Sequence, residues 1–186
     1  MFIQTEDTPN PNAIKFLPGS IISPDGPIFF HKQEEALSKS PLALKLFDIE
    51  NVQSVFYGQD FITITKKEES SWDLLKPEIL TTIMDHLVSG MPVFEATAEK
   101  ETAIDLENAS EVEKQIIEII DTRVRPSVAM DGGDIIYKKF ENGIVYLQLR
   151  GACSGCPSSS ITLKNGIESM LQHFVPEVKS VEAIDE

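Results

Sequence analysis

A short acidic segment in the middle of the chain limits the possible folds more than any other part of the sequence. Residues 95–108 carry five acidic residues and one basic residue, contain no aromatic side chain and follow a break at Gly90 to Pro92. A segment of this composition repels itself and stays extended instead of joining a core. We therefore predict two domains, residues 1–94 and residues 109–186, joined by an acidic linker over residues 95–108.

The first of these domains has the pattern of a small α+β fold. Ser40 followed by Pro41 is typical of a helix start, because serine caps the first turn and proline fits the first helical position. A second helix is predicted from Pro77, where apolar residues begin to recur at helical spacing, to Gly90. Apolar or alternating runs between turn residues predict four strands: Phe2–Thr5, Ile14–Leu17, Val52–Tyr57 and Phe61–Thr65.

The second domain is predicted to follow the order helix, β-hairpin, helix, strand. An apolar stripe from Val112 should end at Arg125, because the residue before a proline disfavours helix. The Asn-Gly pair at 142–143 lies between two strand-like runs and is a strong hairpin signal. A second stripe runs to Phe174, and Val181 marks a closing strand. Both domains therefore belong to the α+β class.

The overall charge limits the partners that this chain can bind. It has 30 acidic and 16 basic residues, a formal net charge of −14. This balance argues against binding to nucleic acid or to an anionic membrane surface. No apolar run approaches the ~20 residues that span a bilayer, and the N-terminal residues have neither the layout of a signal peptide nor that of a transit peptide. We therefore predict a cytoplasmic, bacterial location, with the mitochondrial matrix as the alternative for a processed form.

The chain has two cysteines, Cys153 and Cys156, and they form a Cys-x-x-Cys pair. The pair falls where a predicted strand ends and a predicted helix begins, with Pro157 at the first helical position. Cys156 would then be the N-cap, and the positive end of the helix dipole favours thiolates there. Gly151 and Gly155 permit the tight chain path that two convergent sulfur atoms need. Two thiolates from one short loop are half of a four-sulfur site.

Three functions are compatible with such a pair, beside the option that both cysteines are only small buried residues. A thioredoxin-like redox site precedes most of its sheet, whereas this pair follows a predicted hairpin. A structural zinc site needs two more ligands, and the three histidines, His31, His86 and His173, fit better as surface or boundary residues. An iron–sulfur cluster could take two thiolates from each of two chains that meet at this loop.

Two carboxylates precede the predicted hairpin and are separated only by glycines. Asp131 and Asp134 could be interpreted as a paired-carboxylate metal or acid–base site. A turn between helix and strand accounts for the same pattern, so we assign them no chemistry.

Several segments carry a resemblance to a known family. The C-terminal domain of the NifU-like Nfu proteins resembles three segments here: Asp131–Asp134, Gly151–Ser159 and Thr162–Glu168. The N-terminal domain found in one branch of that family resembles two others, Met1–Asn12 and Phe56–Thr65. The resemblance covers nearly the whole chain except the acidic linker, and its most specific part is the motif around the two cysteines.

The resemblance implies an iron–sulfur cluster scaffold or carrier without enzymatic turnover. In that family a [4Fe–4S] cluster is held between two subunits and passed to apo iron–sulfur proteins, after upstream assembly machinery has supplied it. The cluster ligands would carry over to Cys153 and Cys156. The resemblance therefore implies a homodimer that forms on cluster binding. The alternative function is a thiol–disulfide oxidoreductase that uses the same two cysteines.

Overall fold

The computed structural model describes residues 2–94, 109–154 and 157–184, with the backbone alone at residues 157–160. The chain forms two compact units, Met1–Glu101 and Thr102–Glu186, here called the N-terminal and C-terminal units. Residues 95–108 lie outside the described residues, so the predicted linker and the predicted domain bounds stay a prediction. Both units combine helices with a sheet, which confirms the predicted α+β class.

The N-terminal unit is built on an antiparallel sheet. Within residues 2–94 this sheet has five strands, in the spatial order β1-β2-β5-β4-β3. The elements in chain order are β1 (Gln4–Asp7), β2 (Ala13–Leu17), β3 (Ile28–Phe30), α1 (Gln33–Ala36), α2 (Pro41–Phe47), β4 (Val52–Tyr57), β5 (Ile62–Lys66) and α3 (Trp72–Val88). Strands β4 and β5, both predicted from the sequence, pair antiparallel with each other. Helix α2 and the sheet share one apolar core that includes Phe16, Leu46 and Ile64.

Capping residues set where the helices of this unit begin. The side chain of Ser40 accepts a hydrogen bond from the backbone nitrogen of Ala43 at 3.1 Å, as predicted for the start of α2. Helix α3 begins at Trp72 and not at Pro77, so the predicted start was wrong. The capping side chain of Ser71 accepts from the second residue of the helix, and Pro77 lies in the second turn. The proline removes one backbone hydrogen bond from this turn, and the cap at Ser71 stabilises the start of the helix.

His86 lies near the end of α3 and is fully buried, so its interpretation as a surface or boundary residue was wrong. Its Nε2 atom lies 3.0 Å from the carbonyl oxygen of Pro92. Burial lowers the pKa of His86, the hydrogen bond to Pro92 raises it, and nearby Lys45 lowers it further. The folded unit therefore disfavours the protonated form of this imidazole.

The neutral state of His86 predicts how the N-terminal unit responds to acid. Below about pH 6.5 the histidine of the unfolded chain binds a proton more readily than the buried histidine of the folded unit does. The free energy of unfolding should therefore fall as the pH is lowered through this range. Urea unfolding followed by the fluorescence of Trp72, the single tryptophan of the chain, measures this unit. His86→Leu should lose less stability than the parent between pH 7.5 and 5.5. An equal loss in both proteins would assign the effect to other groups.

In the C-terminal unit the hairpin is preceded and followed in the sequence by helices. Its elements are α4 (Glu111–Ile119), a π-helical turn (Ile120–Val124), α5 (Arg125–Met130), β6 (Gly133–Glu141), β7 (Ile144–Gly151), α6 (Pro157–Phe174) and β8 (Ser180–Ala183). The order helix, hairpin, helix, strand is confirmed. Strand β7 pairs antiparallel with β6 and parallel with β8, so α6 is the crossover connection. No helix in the described parts of the chain is long and apolar enough to cross a membrane.

The predicted hairpin turn has the backbone that its two residues favour. Asn142 and Gly143 have φ angles of 55° and 85°, and both are therefore left-handed. Consecutive positive φ angles define the tight turn that matches the twist of the two strands. The backbone nitrogen of Lys179 donates to the carbonyl oxygen of Gly143 at 2.7 Å and holds the approach to β8 against this turn.

The first helix of this unit does not stop at Arg125, so the predicted end was wrong. Pro126 lacks the backbone donor of a regular helix, and the helix widens before it into the π-helical turn. Within this turn the backbone nitrogen of Arg125 donates to the carbonyl oxygen of Ile120, five residues earlier. The wider turn lets the chain continue in helical form to Met130.

Candidate functional site

The loop after β7 carries the first of the two predicted site residues. Gly151 ends the strand with a φ of 68°, and the backbone nitrogen of Ser154 donates to its carbonyl oxygen at 3.1 Å. The backbone nitrogen of Ala152 donates to the carbonyl oxygen of Gly132 at 3.1 Å. These bonds place Cys153 in the apolar core of the C-terminal unit, where only 6% of its surface is exposed.

Cys156, the second predicted site residue, lies outside the described residues. Helix α6 begins at Pro157, the next residue in the chain, as the sequence predicted. Its assignment as the N-cap of α6 stays a prediction. The loop between β7 and α6 is nonetheless bounded on both sides, because β7 ends at Gly151, two residues before Cys153, and Pro157 opens the helix.

A close approach of two strands frames the sulfur of Cys153. Gly133, the first residue of β6, pairs with Gly151 at the end of β7. A Cβ atom at Gly133 would lie 2.9 Å from the sulfur of Cys153 and 2.6 Å from the carbonyl oxygen of Arg150. Only glycine fits there without moving the backbone or the thiol. The position of the sulfur therefore depends on the start of β6.

We expect Gly133→Ala to destabilise the C-terminal unit by about 1–3 kcal/mol and to displace the Cys153 side chain, because the added methyl group overpacks a closed site. Differential scanning calorimetry measures the first effect, and thiol alkylation of the apo protein measures the second. Gly166→Ala is the matched control. Gly166 lies inside α6 with open space around it, and an alanine there should be neutral or stabilise the helix by up to about 1 kcal/mol. Equal behaviour of the two variants would contradict the predicted clash.

An ion pair between a buried carboxylate and a partly exposed arginine lies directly beside this close approach. Asp134 is 3% exposed, and its Oδ1 atom accepts a hydrogen bond from Nε of Arg125 at 2.9 Å. The same guanidinium donates to the carbonyl oxygen of Ile135 at 3.0 Å and pairs with Asp121 at 2.8 Å. Burial raises the pKa of Asp134, and the charge of Arg125 acts against that rise, with a smaller contribution from Arg150.

This cluster was not predicted from the sequence. Asp131 and Asp134 both fit a turn in the sequence, whereas Asp134 belongs to β6 and is buried. One signal in the sequence could have found the cluster. Asp134 is a charged residue followed by the apolar start of a strand, and Arg125, a residue of opposite charge, lies nine residues before it. Helical continuation beyond Arg125 was needed to bring the two charges together, and the sequence had predicted the opposite.

A second carboxylate joins the first helix to β6 farther along the strand. The hydroxyl of Tyr137 donates to Oε1 of Glu113 at 2.8 Å. Glu113 also completes a capping box with Ser110, and the backbone bond from Ser110 is the main reason that the pKa of Glu113 is lowered. Burial raises the pKa of Tyr137, and the bond to Glu113 adds to this rise. This contact lies four residues beyond Gly133.

Within the described residues, no histidine of the C-terminal unit completes a metal site with Cys153. His173 lies in the last turn of α6, ~24 Å along the helix axis from its first residue, and its ring contacts Phe174. His31 and His86 belong to the N-terminal unit. Within residues 2–94, 109–154 and 157–184, no group of three or more histidines, cysteines or carboxylates could hold a metal ion. A four-ligand site therefore needs ligands beyond those that this part of one chain provides.

Sequence profiles of two known domains match this chain. The profile described as "Scaffold protein Nfu/NifU N terminal" matches residues 3–90, and the "NifU-like domain" profile matches residues 116–182. A human protein named "NFU1 iron-sulfur cluster scaffold homolog, mitochondrial" is 54% identical over 99% of this chain and 72% of its own length. The Arabidopsis thaliana "NifU-like protein 5, mitochondrial" is 53% identical over 98% of this chain and 67% of its own length.

A solved structure is also similar to part of the chain. The solution structure of a NifU-like protein from Saccharomyces cerevisiae is 32% identical and has a TM-score of 0.44. The similarity covers 52% of this chain and 86% of that chain.

The names of these relatives correct one prediction. The human and Arabidopsis proteins are named mitochondrial, and so is a Drosophila willistoni relative that is 50% identical and of which the chain spans 64%. The predicted bacterial cytoplasmic location is therefore wrong. Its basis was the composition of the N-terminal residues, and the residues of a folded domain do not report the compartment that a separate targeting segment specifies.

Proposed function

The chain belongs to the Nfu/NifU family of scaffold proteins, and from this we propose that it carries iron–sulfur clusters as cargo for apo-proteins. The cargo is a [4Fe–4S] cluster, held between two copies of the chain by Cys153 and Cys156 of each copy. Acceptors are apo iron–sulfur proteins, and upstream assembly machinery supplies the cluster. The chain binds and releases this cargo and turns over no substrate.

The observation that carries this proposal is the position of Cys153 at the junction of β7 and α6. Its sulfur lies in the core of the unit, beside the first residue of β6, while the next cysteine in the sequence directly precedes α6. Thiolates near a helix N-terminus are stabilised by its unpaired backbone donors and by the dipole. The helix N-terminus therefore favours the thiolate form that a metal ligand needs.

Counting ligands supports two copies for each cluster. A [4Fe–4S] cluster is ordinarily held by four cysteine thiolates, and the whole chain has two. A second copy related by a twofold axis supplies the other two from the same loop. A cluster shared between the loops of two copies is also easier to release than one enclosed by four ligands of a single chain.

The topology argues against the alternative, a thiol–disulfide oxidoreductase. Cys153 follows an antiparallel hairpin, and the described elements after it are α6 and β8. In thioredoxin-like proteins the cysteine pair lies near a βαβ pattern and most of the sheet follows it. The same two thiols remain chemically able to form a disulfide, so the alternative is tested by activity.

Anaerobic reconstitution with iron and sulfide separates the two functions. We expect a brown protein with broad absorption in the blue part of the visible spectrum, and negligible reduction of insulin disulfides by the reduced apo protein. Transfer is tested by incubating the loaded protein with an apo iron–sulfur enzyme and measuring the activity that the enzyme gains. A colourless protein that reduces insulin rapidly would refute the proposal.

A further inference from the structure

The guanidinium of Arg125 joins two separate parts of the C-terminal unit. It pairs with Asp121 in the π-helical turn at 2.8 Å, and it contacts the first residues of β6 through Asp134 at 2.9 Å and Ile135 at 3.0 Å. An arginine can make such contacts because its donors form a rigid, planar fork. One side chain therefore fixes the start of β6 against the widened helix.

The π-helical turn and the arginine belong to one arrangement. Pro126 interrupts the regular hydrogen bonds, and Arg125 is the residue whose backbone closes the wider turn onto Ile120. The Arg125 side chain then reaches both Asp121 and Asp134. Short π-helical segments of this kind are frequent at functional sites.

The start of β6 is in turn the wall against which Cys153 packs. Asp134 directly follows Gly133, whose missing Cβ atom leaves the space for the sulfur of Cys153. In the sheet Asp134 lies opposite Arg150, and Gly133 lies opposite Gly151. The residues of β7 that lead into the cysteine loop are therefore paired with the residues of β6 that adjoin the ion pair. A displacement of Asp134 moves Gly133 and opens the packing around the thiol.

We infer that the Arg125–Asp134 ion pair is a positioning pair for Cys153, which fixes β6 so that the thiol stays enclosed and correctly directed. Neither side chain binds the cargo. Both act through Gly133 on the sulfur. The inference rests on the proposed function only in taking Cys153 as a ligand, because the enclosure of the thiol is measurable in the apo protein.

The chain offers a matched control in the contact between Tyr137 and Glu113. This contact also joins the first helix to β6 through a carboxylate, at 2.8 Å, but it lies farther from Cys153 along the strand. Tyr137→Phe removes the hydroxyl and keeps the buried ring and the capping box. If the ion pair only stabilised the fold, the control and the ion-pair variants would show the same alkylation rate of Cys153 whenever they lost the same amount of thermal stability.

The first measurement is the alkylation rate of Cys153 by iodoacetamide in full-length apo protein carrying Cys156→Ser, so that one thiol reacts. A buried thiol reacts through local opening, and loss of a charge-assisted hydrogen bond should make that opening about tenfold more frequent. We expect this acceleration in Asp134→Asn, a smaller one in Arg125→Lys and none beyond about twofold in Tyr137→Phe. If Asp134→Asn does not fold, Arg125→Lys decides the outcome. Rates that are unchanged in the ion-pair variants, or equally raised in Tyr137→Phe, overturn the inference.

The second measurement uses the reconstituted protein with both cysteines present. Iron release to an excess of a ferrous chelator should be about tenfold faster in Asp134→Asn than in Tyr137→Phe, because the thiol that holds the cargo is less firmly placed. The two proposals fail separately. A parent protein that binds no cluster refutes the proposed function, whereas alkylation still tests the positioning pair. A parent that binds the cluster, with equal release rates in both variants, overturns the inference alone.

Discussion

Replacing either cysteine, Cys153 or Cys156, with alanine is expected to reduce the iron retained after reconstitution to the background of a desalted control. Each copy would then offer one thiolate, and two copies would offer two of the four that the cluster ordinarily takes. Iron and sulfide assays after anaerobic gel filtration measure the loss, and the visible absorption should disappear with it. Full retention of iron by either variant would remove that residue from the ligand set.

The choice of alanine over serine follows from the burial of Cys153. Its side chain is part of the apolar core, and a hydroxyl group placed there without a partner costs about 1–3 kcal/mol. Alanine removes only the sulfur contacts, at about 1 kcal/mol. Ser154→Ala is the control, because it changes the neighbouring residue in the same loop and leaves both thiols in place. It should reconstitute like the parent.

The second large effect is a change of oligomeric state with loading. One cluster for two chains corresponds to roughly two iron atoms per chain, so the loaded protein should have twice the mass of the apo protein. Two chains of formal net charge −14 repel each other, and added salt should strengthen their association by screening this repulsion. Anaerobic gel filtration with light scattering at two salt concentrations measures both effects.

The cysteine variants provide the control for this experiment. Cys153→Ala should keep the mass of the apo protein after the same reconstitution procedure, since without the cluster little holds the two copies together. A loaded protein that stays monomeric with four iron atoms per chain would contradict the shared site. An apo protein that is already a stable dimer would show that contacts outside the cysteine loop hold the two copies together.

Local sequence signals predicted most elements of both units. The hairpin at Asn142-Gly143, the cap at Ser40 and the helix that opens at Pro157 each depend on a few neighbouring residues, and all three are present. The placement of a loop between β7 and α6 followed from the same kind of signal. Short-range chemistry was sufficient because these features are decided within one turn of the chain.

Features that depend on distant residues were predicted poorly. The helix around Pro126 continues because a π-helical turn accommodates the proline, and the sequence near the proline favours an end. Asp134 is buried because Arg125 reaches it across that turn, and His86 is buried because the chain after α3 folds back so that Pro92 contacts it. For Asp134 and His86 a tertiary contact outweighed the local preference, whereas at Pro126 a change in the local helical geometry did so.

The parallel pairing of β8 with β7 also sets an order in which the C-terminal unit folds. Strands β6 and β7 meet across a two-residue turn, whereas Ile144 of β7 meets Ser180 of β8 only after the whole crossover has closed. Closing the longer loop costs more chain entropy, so we expect the hairpin to form first and the crossover last. Cys153 lies within that crossover, so we expect its thiol to stay accessible to oxidants and to metal ions in the newly made chain until α6 packs against the hairpin. A variant that folds slowly lengthens this interval of exposure.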